Sequence, residues 1–420
     1  MILSGNNWAH VVVALRHRDH RLFNMTLVPA LISLWAQRTG IGWLAWELSH
    51  SPTWLGAIAA ADLLPAVFLA PFAGVAADRT DPLRIMWITQ AIIMVHALAL
   101  WLMTATGAIQ IWILFGFALI TGFNQPFSTA ARMVFYPTLV PKEDLATAVA
   151  INSTIFNLGR TLGPALGGLL IAPFGVAALF FLNFACFLAH SLNLLRVKGM
   201  YAEPIERKRK GMWHELREGF VYVARHAGIG PMLALLTISS AMSRPVAEML
   251  PGFADQVFGR GAQGLGWLLG ATGAGGFIGA IWLTQRGPVV GLTRVVVFQT
   301  FIMGAATTAF ALAGSFWLGL VFIFSVGFTQ VVTGTGTQSL MQMAVDHEMR
   351  GRVMSLYALV WRGTPAIGAI VVGWVASRTG LTWAVAGAGA ICMVAWLWSR
   401  TLLRAMAPAL EARVRAAQDR

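Results

Sequence analysis

The stretch Gly74-Val75-Ala76-Ala77-Asp78-Arg79-Thr80-Asp81-Pro82-Leu83-Arg84 separates two long apolar runs, 53–77 before it and 83–105 after it. A bilayer core about 30 Å thick takes ~20 residues of helix, so either run is long enough to cross. The charges of Asp78, Arg79, Asp81 and Arg84 stay in water between them. The chain therefore enters a membrane, turns at a charged loop and returns. The alternation continues in both directions. Runs near 21–48, 108–132, 146–172 and 175–196 complete a first set of six, and runs near 229–254, 263–285, 292–313, 316–341, 352–376 and 380–403 form a second six.

Composition agrees with this reading. Apolar residues make up 57% of the 420 positions, about 240 in all, enough for roughly twelve spans. Charged residues make up 11%, against roughly 25% in soluble globular proteins. Soluble, fibrous, disordered and collagen-like classes are excluded. The net charge of +13 does not point to nucleic acid, because the bases sit in short clusters between apolar runs, with no exposed aromatics interleaved. Cys186 and Cys392 fall inside apolar runs, away from any ligand spacing, and read as buried structural thiols. No metal site and no cofactor is expected.

The runs imply boundaries: an N-terminal segment 1–20, a six-helix bundle 21–196, a linker 197–228, a second bundle 229–404 and a tail 405–420. The linker is the least apolar part of the chain, with the basic run Arg207–Lys210 and a short surface helix expected around 212–226. Val11–Leu15 is too short for a signal peptide and runs into Arg16, Arg18 and Arg21, so the chain is expected to start inside. With both termini and the linker inside, Arg79, Arg84, Arg132, Lys142, Arg286, Arg294, Arg350 and Arg352 fall in cytoplasmic joints. Only Arg260 and Arg378 fall in outward ones. This bias sets the orientation. The halves also echo one another, as in Gly163-Pro164-Ala165-Leu166-Gly167-Gly168 and Thr364-Pro365-Ala366-Ile367-Gly368-Ala369. Such duplication suits a transporter with its substrate near the membrane centre, where the repeats meet.

The loop that opened this reading resembles the signature of the Major Facilitator Superfamily, Gly-x-x-x-Asp-Arg followed by a basic cluster, here on Gly74, Asp78, Arg79 and Arg84. Pro82 and Leu83 stand where that family usually carries bases, and the second-half copy near Gln285-Arg286 lacks the Asp. Trp35-Ala36-Gln37-Arg38, Val140-Pro141-Lys142-Glu143-Asp144-Leu145, Arg244-Pro245 with Glu248-Met249-Leu250-Pro251, and Arg350-Gly351-Arg352-Val353-Met354-Ser355 resemble the enterobactin-exporter-like, transmembrane secretion effector branch. The run Gly159-Arg160-Thr161-Leu162-Gly163-Pro164 through Gly167-Gly168 is similar to the antiporter motif of the fifth span. The resemblance implies an all-α Major Facilitator fold of twelve transmembrane helices in two pseudo-symmetric six-helix bundles. It also implies that Asp78 sits against the N-terminus of the eleventh span, near Arg350 and Arg352, as a cytoplasmic latch with Arg132 close by.

Gly159, Gly163 and Gly167 recur every fourth residue and make a flat strip for close helix approach, which Pro164 kinks. The strip reads either as a seal between the halves or as ordinary packing. Six charges lie at membrane depth: Arg38, Asp62, Arg160, Arg244, Glu248 and Arg362. Each would cost roughly 2.5–3.5 kcal/mol if left in lipid, so they face one another or water. Arg244 shares a helix face with Glu248, and Arg38 is a partner for Asp62 at similar depth. Structural ion pairing and a substrate or proton role stand about even. Asn124, Gln125, Gln330 and Gln338, with Trp35, read as cavity lining or as polar glue between helices. His96 and His190 read as packed rather than as proton relays.

No phosphate-binding Gly-x-x-x-x-Gly-Lys-Ser/Thr loop occurs, so an ion gradient is the expected driver. The reading is a secondary transporter of the bacterial inner membrane, not an enzyme. It is expected to be a monomer that exports a small amphipathic or hydrophobic molecule (drug, siderophore or metabolite) in exchange for protons. A uniporter or importer of the same fold, a receptor and a membrane enzyme are the alternatives.

Overall fold

The computed structural model describes residues 16–197, 212–287 and 290–418. The basic run Arg207–Lys210, most of the N-terminal segment 1–20 and part of the linker 197–228 lie outside the described residues. All regular structure among the described residues is helical. Fourteen helices follow in order: α1 (Arg18–Ser49), α2 (Pro52–Arg79), α3 (Pro82–Ala105), α4 (Ile111–Phe135), α5 (Leu145–Phe174), α6 (Val176–Leu194), α7 (Met212–Arg225), α8 (Ile229–Ser243), α9 (Val246–Gly252), α10 (Gly261–Arg286), α11 (Leu292–Ala311), α12 (Phe316–Ala344), α13 (Arg350–Thr379) and α14 (Leu381–Gln418).

Ten helical stretches among the described residues are long and apolar enough to cross a membrane. The remaining two of the twelve expected runs are helical but do not reach that standard alone. The first run falls on α1, which is 32 residues long but carries Asp19, Arg38, Glu47 and four buried polar side chains, His20, Asn24, Ser33 and Gln37. The seventh falls on Ile229–Val257, which qualifies only jointly with Arg217–Arg225, bent 105° away from it, giving up to eleven spans. That run is also interrupted. The chain turns at Arg244-Pro245 between α8 and α9, where Pro245 has no N–H for the helical ladder, and a π-helical turn follows at Phe253–Val257. Glu248 therefore lies one short turn beyond a helix break.

The loop at 78–84 folds as its residues require. Asp81 caps α3 by accepting from the N–H of Leu83 at 2.9 Å, and Pro82 takes the first helical position. Ser315 caps α12 in the same way through the Leu318 N–H. The duplication is sharper in structure than in sequence. A 3₁₀ turn (Lys142–Asp144) leads into the 30-residue α5, and a 3₁₀ turn (His347–Met349) leads into the 30-residue α13. Each helix ends at a glycine with positive φ, Gly175 at 74° and Gly380 at 88°, a conformation that side chains with a Cβ resist.

The described residues fall into two compact units, one within Met1–Ser49 and Leu64–Glu206, the other within His50–Leu63 and Arg207–Arg420. In the first, α1 packs on α4, α5 and α6, and α3 packs on α4 and α6. Its core joins Phe23, Leu27 and Leu31 of α1 to Phe135, Tyr136 and Leu139 after α4. In the second, α8 packs on α13 and α14, α11 on α12 and α14, and α10 on α12. The start of α2 belongs here: Gly56 meets the Ala369 carbonyl of α13 so closely that a Cβ has no room. Many large apolar side chains of the spans, among them Phe68, Val95, Phe123 and Val394, are exposed. Trp112, Trp267, Trp317, Trp374 and Trp383 are exposed near those helix ends that the base count places outside, as interfacial tryptophans are.

Beyond its span, α14 continues as a helix to Gln418 through the region read as a tail. Met406, Leu410 and Glu411 are fully buried there. The Glu411 carboxylate accepts from the N–H groups of Gly291 (2.9 Å) and Thr293 (3.1 Å), capping the N-terminus of α11. A buried carboxylate at a helix N-terminus satisfies donors and meets the positive end of the dipole. Glu411→Ala leaves two amides without an acceptor and is expected to destabilise the protein by roughly 1–3 kcal/mol, with Glu411→Gln losing less. Thermal unfolding of the purified protein, followed by tryptophan fluorescence, checks this ordering; an unchanged transition in the alanine variant contradicts it.

Candidate functional site

Two polar clusters lie inside the first unit. Near the start of α1, His20 bonds the Tyr136 hydroxyl (2.9 Å), which donates to Asn24 Oδ1 (3.1 Å). One turn on, Thr26 bonds His190 Nδ1 at 2.8 Å. Deeper, a chain of bonds crosses four helices. Ser33 donates to Asn183 Oδ1 (3.0 Å), Asn183 donates to Gln37 Oε1 (2.8 Å), Gln37 reaches His96 Nδ1 (3.5 Å), and His96 Nε2 meets the Phe117 carbonyl (3.0 Å). His96 and His190 are therefore buried members of hydrogen-bonded networks. Ser33, Gln37 and Asn183 carry this network without having stood out in the sequence. Their one signal is polar residues four apart, Ser33 and Gln37, inside an apolar run.

A third cluster is cationic and aromatic. The Arg38 guanidinium lies over the Trp35 ring at 5.6 Å, Trp35 meets Phe156 of α5 edge to face at 6.1 Å, and Arg132 of α4 lies 5.8 Å from the Phe156 ring. A cation over an aromatic face gains ~0.5–1 kcal/mol, or ~2 when desolvated. That is less than the ~2.5–3.5 kcal/mol an arginine costs at membrane depth. Arg132 Nε, Trp35 Nε1 and Asn152 Oδ1 are buried without a hydrogen-bond partner. Arg160 is exposed on α5.

In the second unit the helix break presents Arg244. Its guanidinium donates to the Trp361 carbonyl of α13 and lies 4.3 Å from that residue's ring centre. Tyr357 stacks on Trp361 at 6.1 Å and donates to the Gly334 carbonyl at 3.1 Å. Gln330 donates to the Ser243 carbonyl at 3.2 Å, holding α12 to the broken end of α8. Ser239, Ser240, Arg244, Gln330, Thr333 and Trp361 line a cavity of about 10 Å³, room for roughly one water. Glu248, Gln338 and Asp62 are half-buried in this unit, whereas Arg362 is exposed on α13.

The remaining motif residues are also placed. Gly159, Gly163 and Gly167 face α1 of their own unit, where a Cβ on Gly163 would come within 2.5 Å of Trp35 Cβ and 2.8 Å of the Ile32 carbonyl. Gly368, in the matching position of α13, meets the Ala241 carbonyl of α8 with no room for a Cβ. The strip is thus used for close packing within a unit. Gly74 lies in α2 and is half-buried; Asp78, Arg79 and Arg84 are exposed at the α2–α3 joint. Arg350 is exposed at the start of α13, while Arg352 forms an ion pair with Glu218 of α7 at 2.8 Å. Tyr222 of α7 donates to Asp346 at 2.9 Å, so the surface helix is pinned to the α12–α13 joint. Asn124 donates to the Thr89 carbonyl at 3.1 Å, and Gln125 beside it is half-buried.

Comparison with known proteins places this architecture. The family described as transmembrane secretion effector matches residues 11–419. The Staphyloferrin A transporter of Staphylococcus aureus is 24% identical over 86% of this chain and 90% of its own length. The enterobactin exporter EntS of Escherichia coli is 26% identical over 71% of each chain. The crystal structure of the nucleoside transporter NupG superposes with a TM-score of 0.70 at 13% identity, covering 94% of this chain and 99% of that one; at that identity the likeness is one of fold.

The packing of the glycine strip makes a two-sided prediction. Gly163→Ala forces α1 away and is expected to destabilise by roughly 1–3 kcal/mol. Gly116→Ala in α4, where a Cβ meets nothing within 4 Å, is expected to be neutral or to stabilise by up to ~1 kcal/mol through helix propensity. Paired thermal unfolding curves of the two variants read the opposite signs directly.

Proposed function

Because this chain belongs to the transmembrane secretion effector family of Major Facilitator transporters, which are not enzymes, we propose that it is a proton-coupled exporter of a small amphipathic molecule. Its fold is the all-α Major Facilitator fold, and it is a multi-pass bacterial membrane protein. The inner membrane, with both termini cytoplasmic, is the location that the bias of bases supports. The proposed cycle is alternating access by a monomer, with the ion gradient as the driver.

The observation that carries the reading is the break at Arg244-Pro245. It puts an arginine on the Trp361 carbonyl and ring, beside a small cavity, with a half-buried carboxylate, Glu248, in the next short helix. Glu248 carries a proton if its surroundings differ between the two access states, since desolvation favours the protonated acid and an approaching arginine the carboxylate. A helix already broken at a proline changes such surroundings with fewer backbone bonds to sacrifice than a continuous one. Asp62, on the unbroken α2, is the weaker candidate.

The relatives' names support export of siderophore-like molecules as the cargo class: one is called a staphyloferrin A transporter, the other an enterobactin exporter. In proteoliposomes with the potential clamped to zero and a pH gradient imposed, Glu248→Gln is expected to lose accumulation of substrate while keeping substrate exchange without a gradient. Accumulation preserved in Glu248→Gln but lost in Asp62→Asn moves the role to Asp62. Accumulation preserved in both removes either acid from coupling.

A further inference from the structure

The cationic and aromatic cluster of the first unit has a property that packing alone leaves unexplained. Arg132 and Arg160 donate no hydrogen bond to any described protein group, and Trp35 Nε1 is buried without an acceptor. Trp35 comes from α1, Arg132 from α4, and Asn152, Phe156 and Arg160 from α5. Asn152, Phe156 and Arg160 are spaced four apart, so they share one helix face. The described acids of this unit, Asp19, Glu47, Asp78, Asp81, Glu143 and Asp144, all lie at helix ends or in joints. Donors and positive charge predominate on this wall, where Asn152 Oδ1 is the one unpartnered buried acceptor, and the described residues of the unit place their carboxylates only at helix ends or in joints.

We propose that this wall, Trp35 and Phe156 with Arg132 and Arg160, receives an organic anion carrying a flat aromatic group. This specifies the cargo of the exporter proposed above and rests on that reading. The charge selects the anion: Arg132 and Arg160 repel a cation, and a neutral carbonyl accepts from their N–H groups without neutralising their charge. Arginine forks match carboxylate and similar paired oxygens. The rings select the aromatic part. Trp35 and Phe156 already pack edge to face at 6.1 Å, and a flat ligand entering beside them meets both a ring face and the indole N–H.

A set of probes with one ring system and three charges tests this. 2-Naphthoate, 2-naphthamide and 2-naphthylmethylammonium are titrated into the full-length protein in neutral-lipid nanodiscs, with empty nanodiscs subtracted. The naphthoate is expected to bind at least about tenfold more tightly than the amide, with the ammonium weakest. In Arg132→Gln that advantage should shrink to about twofold or less while amide binding holds. Trp35→Phe, which keeps a ring but removes the N–H, should lose a smaller part of the advantage and serves if Arg132→Gln does not fold. Equal binding of the three probes, tightest binding of the ammonium, or an advantage undiminished in both variants overturns the proposal. Transport separates it from the reading beneath it. Uptake into proteoliposomes of the ammonium but not the naphthoate leaves an exporter without this anion site. Anion-selective binding that depends on Arg132 but leads to no movement of naphthoate leaves the site and removes the exporter.

Discussion

The bilayer core offers no water to a polar group, and the rest of the structure follows from that. Every backbone N–H and C=O in the core must be answered within the chain, so the chain crosses as helices. Polar side chains come under the same rule, and most of the buried ones lie on α1, α3, α6, α8, α11 and α12, where they face other helices of their units. His20, Asn24, Thr26, Ser33 and Gln37 lie on α1, and Ser239, Ser240, Ser243 and Arg244 lie on or at the end of α8. α1 reads as a poor span because it carries Asp19, Arg38 and Glu47 beside its polar side chains, and α8 because its helix is only 15 residues long before the break.

The same constraint explains how the halves are alike and where they part. A 3₁₀ turn, a 30-residue helix and a positive-φ glycine recur in both, and the long helix packs by a glycine on the first helix of its own unit. That first helix differs. α1 runs unbroken from Arg18 to Ser49 despite Pro29, whereas α8 stops at Ser243 and gives way to a turn, a short helix and a π turn. A proline costs a helix one hydrogen bond and a steric clash; the second unit breaks its helix there, and the Arg244 guanidinium at the break bonds the Trp361 carbonyl of a neighbouring helix. One unit thus keeps a stiff lever and the other a joint.

Much of the fold was legible because lipid imposes long, uninterrupted apolar runs, and the loop at 78–84 marks where two of them turn. The count of spans was less so, since α1 carries charged and polar residues and α8 is cut short by its break. The sites were legible by residue type and not by partner. Arg244 stands out in the sequence as a charge at membrane depth, but Trp361, which receives it, looks like any tryptophan of an apolar run. Phe156 is silent for the same reason. Arg352 was read from the resemblance as part of a gate, and its pairing with Glu218 depends on where α7 docks, which no local pattern encodes. Glu411 hides in a stretch that looks like a charged tail until the helix is seen to continue beneath α11.

The charges of the two units also bear on energetics. The first holds Arg38, Arg132 and Arg160, and its own described acids lie at helix ends or in joints; the second holds an arginine with a carboxylate one turn past a joint. An anion leaving a cell whose interior is negative moves down the electrical gradient, and a proton entering does so too. A one-for-one exchange therefore moves the equivalent of two positive charges inward. At 100 mV each charge is worth about 2.3 kcal/mol, so the cycle gains roughly 4.6 kcal/mol from the potential alone, before any pH difference is counted. A cationic cargo exchanged for one proton would gain nothing from the potential. If the proposed wall selects anions and the proposed cycle exports them against protons, recognition and drive coincide: the cargo the wall would favour is the one the membrane potential would help to expel.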